Sequence, residues 1–420
     1  MSRSSARRAR LPGPLSAQEV RLRLAEHAAR DRQGRDGRLP LYYYFASDEV
    51  SELTRDAYRM FYDANALASA AFPSCAAMDA EVVDMVLGLL WATPDAGGCM
   101  TSGGTESIPL AVKAAKAAAR ARALSGRFNI VVPVSAHPAF DKAADLLELQ
   151  VRRVELAADY RCDVDRMRDA VDDDTILVAG SAPSLPCGLI DPIRSLGELA
   201  LECGVWLHVD ACIGGLLAPF VEAIGDAVPA FDFRLPGLRS ISADLHKFGY
   251  AGKGASLVLY CDRADLELQT FRFSGWPKGE YETRTMAGTR SGGAIAGAWA
   301  VMRLLGQDGY CDLARRPMHL RDRYMSGFSQ IGAIEVIGAP ELSVVAVTSR
   351  SRDIFAAADA LDARGWYLSL VNDPPGIHQT INPAHEPVVD EYLDDLSRAM
   401  ARAPSRVPGA VGGKRRVMTY

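Results

Sequence analysis

The sequence predicts an α/β protein: a large domain on a mainly parallel sheet with helices on both faces, then a smaller C-terminal α+β domain. Three observations predict it. Short β-branched runs at 130–134, 175–179, 205–209 and 255–260 alternate with longer helical stretches at 143–149 and 192–202. That alternation is the signature of βαβ units. Two more strand-like runs, 342–348 and 366–371, follow a long helical stretch toward the C-terminus. With 420 residues, 49% of them hydrophobic and 24% charged, the chain has material for a large core and one satellite domain.

The first ten residues, with four arginines, lack the following apolar segment of about 7–15 residues that a secretory signal requires, so they read as a frayed tail. An Ala- and Lys-rich helix is expected from about 106 to 124, starting just after Gly103-Gly104 and stopping near Ser125-Gly126. The strands and helices of the large domain follow, and function is expected at the strands' carboxyl ends. A helix from about 294 to 306 leads out of that domain. After Ala403 the chain carries Pro404, Pro408, Gly409, Gly412, Gly413 and a Lys-Arg-Arg cluster, a composition expected to be disordered. The expected divisions are an N-terminal segment, 1–60, a large domain, 61–300, a small domain, 301–402, and a tail, 403–420. No internal repeat is present.

A net charge of -5 with scattered basic residues gives no footprint for nucleic acid. No run approaches the roughly 20 apolar residues needed to span a bilayer, so no membrane association is expected. The eight cysteines form no C-x-x-C pair, which suggests neither a metal site nor a disulfide framework and fits a reducing cytoplasm.

The chemistry gathers around one lysine. In Ser240-Ile241-Ser242-Ala243-Asp244-Leu245-His246-Lys247-Phe248-Gly249-Tyr250, Lys247 stands beside His246 among small residues, between two expected strands. A lysine that forms a Schiff base needs a lowered pKa, which burial and a neighbouring cation such as Lys253 favour. Asp210 ends the apolar strand Val205-Trp206-Leu207-His208-Val209, where a carboxylate can pair with the protonated pyridine nitrogen of pyridoxal phosphate and keep its ring an electron sink. Thr101-Ser102-Gly103-Gly104-Thr105-Glu106-Ser107 runs into a helix whose free N–H groups suit a phosphate, although an ordinary N-cap at Ser102 or Thr105 explains that segment nearly as well. His137 follows the strand at 130–134 and has an imidazole able to stack on a cofactor ring, or to serve as a structural turn residue.

Together and in order, these segments resemble the group II pyridoxal-phosphate-dependent decarboxylase superfamily, and within it the sphingosine-1-phosphate lyase family. The resemblance runs from about Gly37 to His378. It is carried by the lysine segment 242–254, by 101–107, 180–193, 208–215 and 287–300, and by Gly365-Trp366-Tyr367-Leu368 with Pro375-Gly376-Ile377-His378. It implies the fold type I architecture of pyridoxal-phosphate enzymes and a cytoplasmic homodimer with active sites at the subunit interface, the N-terminal segment packing on the dimer. It implies that Lys247 holds pyridoxal 5'-phosphate with His246 beside it, that Asp210 faces the ring nitrogen and His137 the ring, and that Gly104 and Thr105 cradle the phosphate, with Thr289 reaching it from the neighbouring subunit. For chemistry it points to Lys253, Tyr281 and Tyr44, with Tyr42 and Tyr43 as alternatives to Tyr44.

The implied reaction is retro-aldol cleavage of a small 2-amino-3-hydroxy substrate to an aldehyde and an amine; the alternative is amino-acid decarboxylation. Two departures from the lyase pattern stand out. Where that family shows a histidine implicated in holding the substrate's phosphate, this chain has Ala68, in Asn65-Ala66-Leu67-Ala68-Ser69. A charge-assisted contact of typically ~1.5–3 kcal/mol is thereby missing, which argues against a phosphorylated sphingoid base. Cys187 replaces a second family histidine and is expected near the site.

Overall fold

The run Asn-Ile-Val-Val-Pro is buried at every position, as a strand covered on both faces must be, and it belongs to a seven-stranded sheet. The computed structural model describes residues 11, 13–122 and 126–406. The expected N-terminal tail and most of the C-terminal one lie outside the described residues, as does the expected end of the Ala- and Lys-rich helix. The strands are β1 (Gly97–Thr101), β2 (Asn129–Pro133), β3 (Gln150–Val154), β4 (Thr175–Ser181), β5 (Trp206–Asp210), β6 (Leu238–Ala243) and β7 (Ser256–Tyr260). They are ordered β1-β7-β6-β5-β4-β2-β3. Pairs from β3 through β6 are parallel, and β7 runs antiparallel to both of its neighbours.

Helices α1 (Ala17–Ala28), α2 (Asp48–Met60) and α3 (Pro73–Leu89) precede the sheet. Between its strands come α4 (Gly104–Ala121), α5 (Ala139–Leu147), α6 (Val164–Ala170), α7 (Ile193–Cys203) and α8 (Ala218–Ala223), and after it α9 (Arg263–Gln269). The period-two alternation of each strand feeds two apolar layers. Ile130, Val132, Leu177 and Ala179 pack with α4 and α5 on one face. Val131, Val178, Leu207 and Val209 pack with α3, α7 and α8 on the other.

Past α9, β8 (Phe271–Trp276) and β9 (Gly279–Thr283) form a hairpin with Phe271, Phe273 and Trp276 exposed. Helix α10 (Gly292–Gln330) is longer than its sequence suggests and kinks at Gly306, whose φ of 54° only glycine adopts readily. It leads to β10 (Glu335–Val336), β11 (Val344–Thr348), α11 (Ile354–Asp362), β12 (Ser369–Asn372), β13 (Pro375–Thr380) and α12 (Val389–Arg402). These four strands make an antiparallel sheet, β10-β11-β13-β12, with an apolar cluster of its own around Trp366, Ile377 and Tyr392. Among the described residues no helix is long and apolar enough to cross a membrane.

Candidate active site at the carboxyl ends of the parallel strands

Parallel pairing aligns Ser181 with Asp210 and Asp210 with Ser242, so the carboxyl ends of β4, β5 and β6 form one edge. The segment between β6 and β7 carries Asp244, His246, Lys247 and Lys253 over that edge. Helix α4 starts beside it, just after β1, and His137 arrives on the turn between β2 and α5. The result is a cavity of about 420 Å³ lined by Lys247, Asp210, His137, Gly104, Thr105 and His246, with Lys253, Tyr42 and Tyr44 at its wall.

The Lys247 Nζ lies 3.0 Å from Asp244 Oδ2. Asp244 is buried and also accepts from Ser256 Oγ at 2.5 Å, so its charge is fixed in place. Burial disfavours the Lys247 ammonium, but the field of Asp244, reinforced by Cys212, Tyr44 and Asp210, outweighs it and raises the pKa above the ordinary lysine value. The expected lowering at Lys247 is therefore corrected: without a bound partner the amine is held protonated by a carboxylate three residues upstream. Lys253 behaves as the crowding argument expects. Although its side chain reaches solvent, partial burial and then the charge of Lys247 bring its pKa down to about 8. Its Nζ donates to the carbonyl of His246 at 3.1 Å and stands 5.3 Å from the Tyr44 ring centroid. Burial pushes the Tyr44 phenol up to about 12.

Neutral histidines flank the cavity. His246 Nδ1 donates to the Ala255 carbonyl at 2.7 Å, and burial lowers its pKa. His137 Nδ1 accepts from the Ala139 amide at 3.1 Å, which fixes its neutral proton on Nε2, and burial lowers its pKa too. Each presents an uncharged ring.

At the helix start, neither Ser102 nor Thr105 is the cap. The N-cap is Gly103, which supplies no side-chain hydrogen bond, while Ser102 donates through its amide and hydroxyl to Glu106. The Glu106 and Ser107 amides donate to the Gly103 carbonyl at 2.8 and 3.0 Å, which leaves the Gly104 and Thr105 amides for an outside anion. Gly104 is required by proximity, since a Cβ there would lie 2.5 Å from Cys212 Sγ. A cavity with an uncapped helix start at one end, a strand-end carboxylate at another and a lysine amine on its wall fits pyridoxal 5'-phosphate: a dianion, a ring nitrogen and an aldehyde each meet a complementary group.

Not every expected residue meets this cavity within one chain. Tyr281 sits in the β8–β9 hairpin with its ring centroid 6.3 Å from that of Phe271 and 6.1 Å from that of Trp276. Thr289 is exposed in the segment before α10. Tyr43 packs parallel to Phe45, and its carbonyl accepts from Asn382, so of the three tyrosines Tyr42 and Tyr44 face the cavity and Tyr43 does not. Ala68 is exposed, and its neighbours Ala66, Leu67 and Ser69 line a separate cavity of about 610 Å³ with Arg290. Cys187 does not line the cavity; it is buried against Leu189, Ile337 and Ala346, two residues beyond Leu185, which does line it. Reasoning from sequence overlooked Asp244 as a partner of Lys247. The available signal was their three-residue spacing across a turn.

The pyridoxal-dependent decarboxylase conserved domain matches residues 42–350. The sphingosine-1-phosphate lyase of Arabidopsis thaliana is 40% identical over 366 residues, covering 86% of this chain and 67% of its own length. A probable L-tyrosine/L-aspartate decarboxylase of Methanothermobacter thermautotrophicus is 34% identical, covering 82% of this chain and 92% of its own. The solved structure of a Burkholderia pseudomallei sphingosine-1-phosphate lyase superposes with a TM-score of 0.91 at 36% identity, covering 94% of this chain and 93% of that one.

Proposed function

The chain belongs to the pyridoxal-dependent decarboxylase family, and on that premise we propose that this pyridoxal-phosphate-dependent lyase cleaves the bond between the amino-bearing and hydroxyl-bearing carbons of a 2-amino-3-hydroxy substrate. When bound, the cofactor supplies an electron sink for the bond broken at the amino-bearing carbon. Lys247 would hold it through Nζ, Asp210 would face its ring nitrogen, His137 its ring, and Gly104 with Thr105 its phosphate, with His246 beside the lysine. The observation that carries this reading is the convergence of these six side chains and backbone positions on one cavity.

Cleavage needs a group that takes the proton from the substrate's 3-hydroxyl oxygen. Lys253 is suited to that work because, near pH 8, it exists partly as the free base. Tyr44, 5.3 Å from it and held neutral by a pKa of about 12, would orient the same hydroxyl by hydrogen bonding.

Tyr281 and Thr289 lie outside the cavity of their own chain. We therefore assign them to the site of a second subunit in a homodimer, a reading supported by the exposed aromatic face of the β8–β9 hairpin. The eight unpaired thiols agree with a reducing compartment, the cytoplasm. Ala68 supports an unphosphorylated amino alcohol, or one whose phosphate is held elsewhere.

The second reading, decarboxylation of an amino acid, is favoured by the 34% identity to the archaeal relative. Incubating the holoenzyme with 3-hydroxy-2-amino compounds and, separately, with amino acids distinguishes them. Aldehyde release supports carbon–carbon cleavage. Carbon dioxide without aldehyde overturns it.

A further inference from the structure

Beneath Asp210 lies a line of buried polar groups that the proposed chemistry does not use. Strand β5 places Trp206, His208 and Asp210 on one face by its period of two, and β6 places Ser240 and Ser242 on the same side, opposite His208 and Asp210 in register. All except Asp210 are essentially inaccessible to solvent. Trp206 Nε1 donates to Ser240 Oγ at 2.7 Å; His208 Nδ1 lies 2.8 Å from Ser240 Oγ and its Nε2 3.3 Å from Ser242 Oγ; Ser242 Oγ lies 3.3 Å from Asp210 Oδ1.

Hydrogen-bond inventory fixes the direction of this line. An indole N–H can only donate and a carboxylate can only accept. The single Ser242 proton therefore goes to Asp210, and Ser242 accepts from His208 Nε2–H and from the Cys212 thiol at 3.4 Å. With its proton on Nε2, His208 has a bare Nδ1, which accepts from the Ser240 hydroxyl, whose oxygen accepts from Trp206. Every donor has one acceptor. The reversed arrangement requires a protonated Asp210 and leaves the Ser240 hydroxyl proton without a partner in a buried site. A doubly protonated His208 is disfavoured, since burial brings its pKa down to about 4. Asp210 also accepts from the Cys212 amide at 3.1 Å.

We propose that Trp206, Ser240, His208 and Ser242 form a one-way hydrogen-bond relay that holds the Asp210 carboxylate aimed at the cofactor's ring nitrogen, making His208 and Ser242 positioning residues for that nitrogen's proton. The relay rests on the reading of Asp210 as the ring-nitrogen partner. Nothing in it touches substrate; it acts through Asp210 alone.

The test is the solid-state 15N spectrum of holoenzyme reconstituted with cofactor labelled at the ring nitrogen, read beside cofactor affinity. In the parent enzyme the signal lies at the position of a protonated ring nitrogen. Ser242→Ala, nearly isosteric, and His208→Phe move it toward the unprotonated position, and Ser242→Ala weakens cofactor binding by roughly ten- to a hundredfold, the loss expected for one hydrogen bond to a charged group. Ser242→Thr, which keeps the hydroxyl, restores the parent signal. If Asp210→Asn moves the signal but Ser242→Ala and His208→Phe leave it at the parent position, the relay is overturned while the Asp210 assignment survives. If Asp210→Asn leaves it unmoved as well, the assignment and the relay fall together.

Discussion

The Lys247 ammonium and the Asp244 carboxylate stand 3.0 Å apart, and Asp244 is itself pinned by Ser256 Oγ. An amine attacks an aldehyde only as the free base, so this pair holds the lysine in its unreactive form. Cofactor loading of the empty protein should accelerate as pH rises toward the raised pKa of Lys247. Asp244→Asn removes the opposing charge and leaves burial and Lys253 to depress the amine. Loading at neutral pH should become roughly tenfold faster, one pKa unit's worth, with its pH dependence displaced to lower pH. Following the cofactor's absorbance after mixing checks this. An unchanged pH dependence argues that the pair does not govern loading.

Lys253, with its pKa near 8, predicts an ascending limb in kcat/KM. The lysine works as a base only when deprotonated, so activity rises as pH increases through about 8. Lys253→Met should abolish the limb and lower kcat by roughly 10²-fold or more, the usual worth of a positioned general base. Cofactor absorbance should be retained.

Tyr281 and Thr289 allow the proposed dimer to be tested without a structure of the assembly. Lys247→Ala and Tyr281→Phe should each lose activity alone. When the two proteins are unfolded and refolded together, half of the dimers combine one of each, and one of the two sites in those dimers is intact. Recovery of roughly a quarter of parental activity is expected for a C2 dimer. No recovery argues that Tyr281 serves its own subunit or none.

Position 68 tests the substrate. If the alanine is why a phosphorylated amino alcohol is a poor substrate, Ala68→His should lower KM for the phosphorylated compound by about tenfold and leave the unphosphorylated one nearly unchanged, since only the former gains a charge-assisted contact. Steady-state aldehyde release with both compounds provides the comparison.

Much of the large domain could be read from residue pattern because its central strands are β-branched and buried on both faces; β2, β4 and β5 fall within two residues of expectation. Strands without that pattern were not legible. β1, Gly-Gly-Cys-Met-Thr, is a strand because it pairs with β7, where Gly98 lets the two backbones close: a Cβ there would lie 2.6 Å from a Leu259 methyl. β3 contains Arg152 and Arg153 at the sheet edge, where they reach Asp172 and Asp141. Nor does a run of Ser-Leu-Val-Leu-Tyr reveal that β7 is antiparallel. At the site, the residue types of Lys247, Asp210 and the glycine turn were enough to single out positions that the fold brings to one cavity. The proton affinity of Lys247 was not, because its sign depends on the distance to one carboxylate rather than on burial or neighbouring cations.

Borohydride trapping followed by peptide mapping bears most directly on the covalent role of Lys247. Reduction of the holoenzyme should fix the cofactor on the peptide that carries Lys247, and Lys247→Ala should yield no such peptide while still folding. A label on another lysine, or none on protein that visibly carries cofactor, would contradict the account.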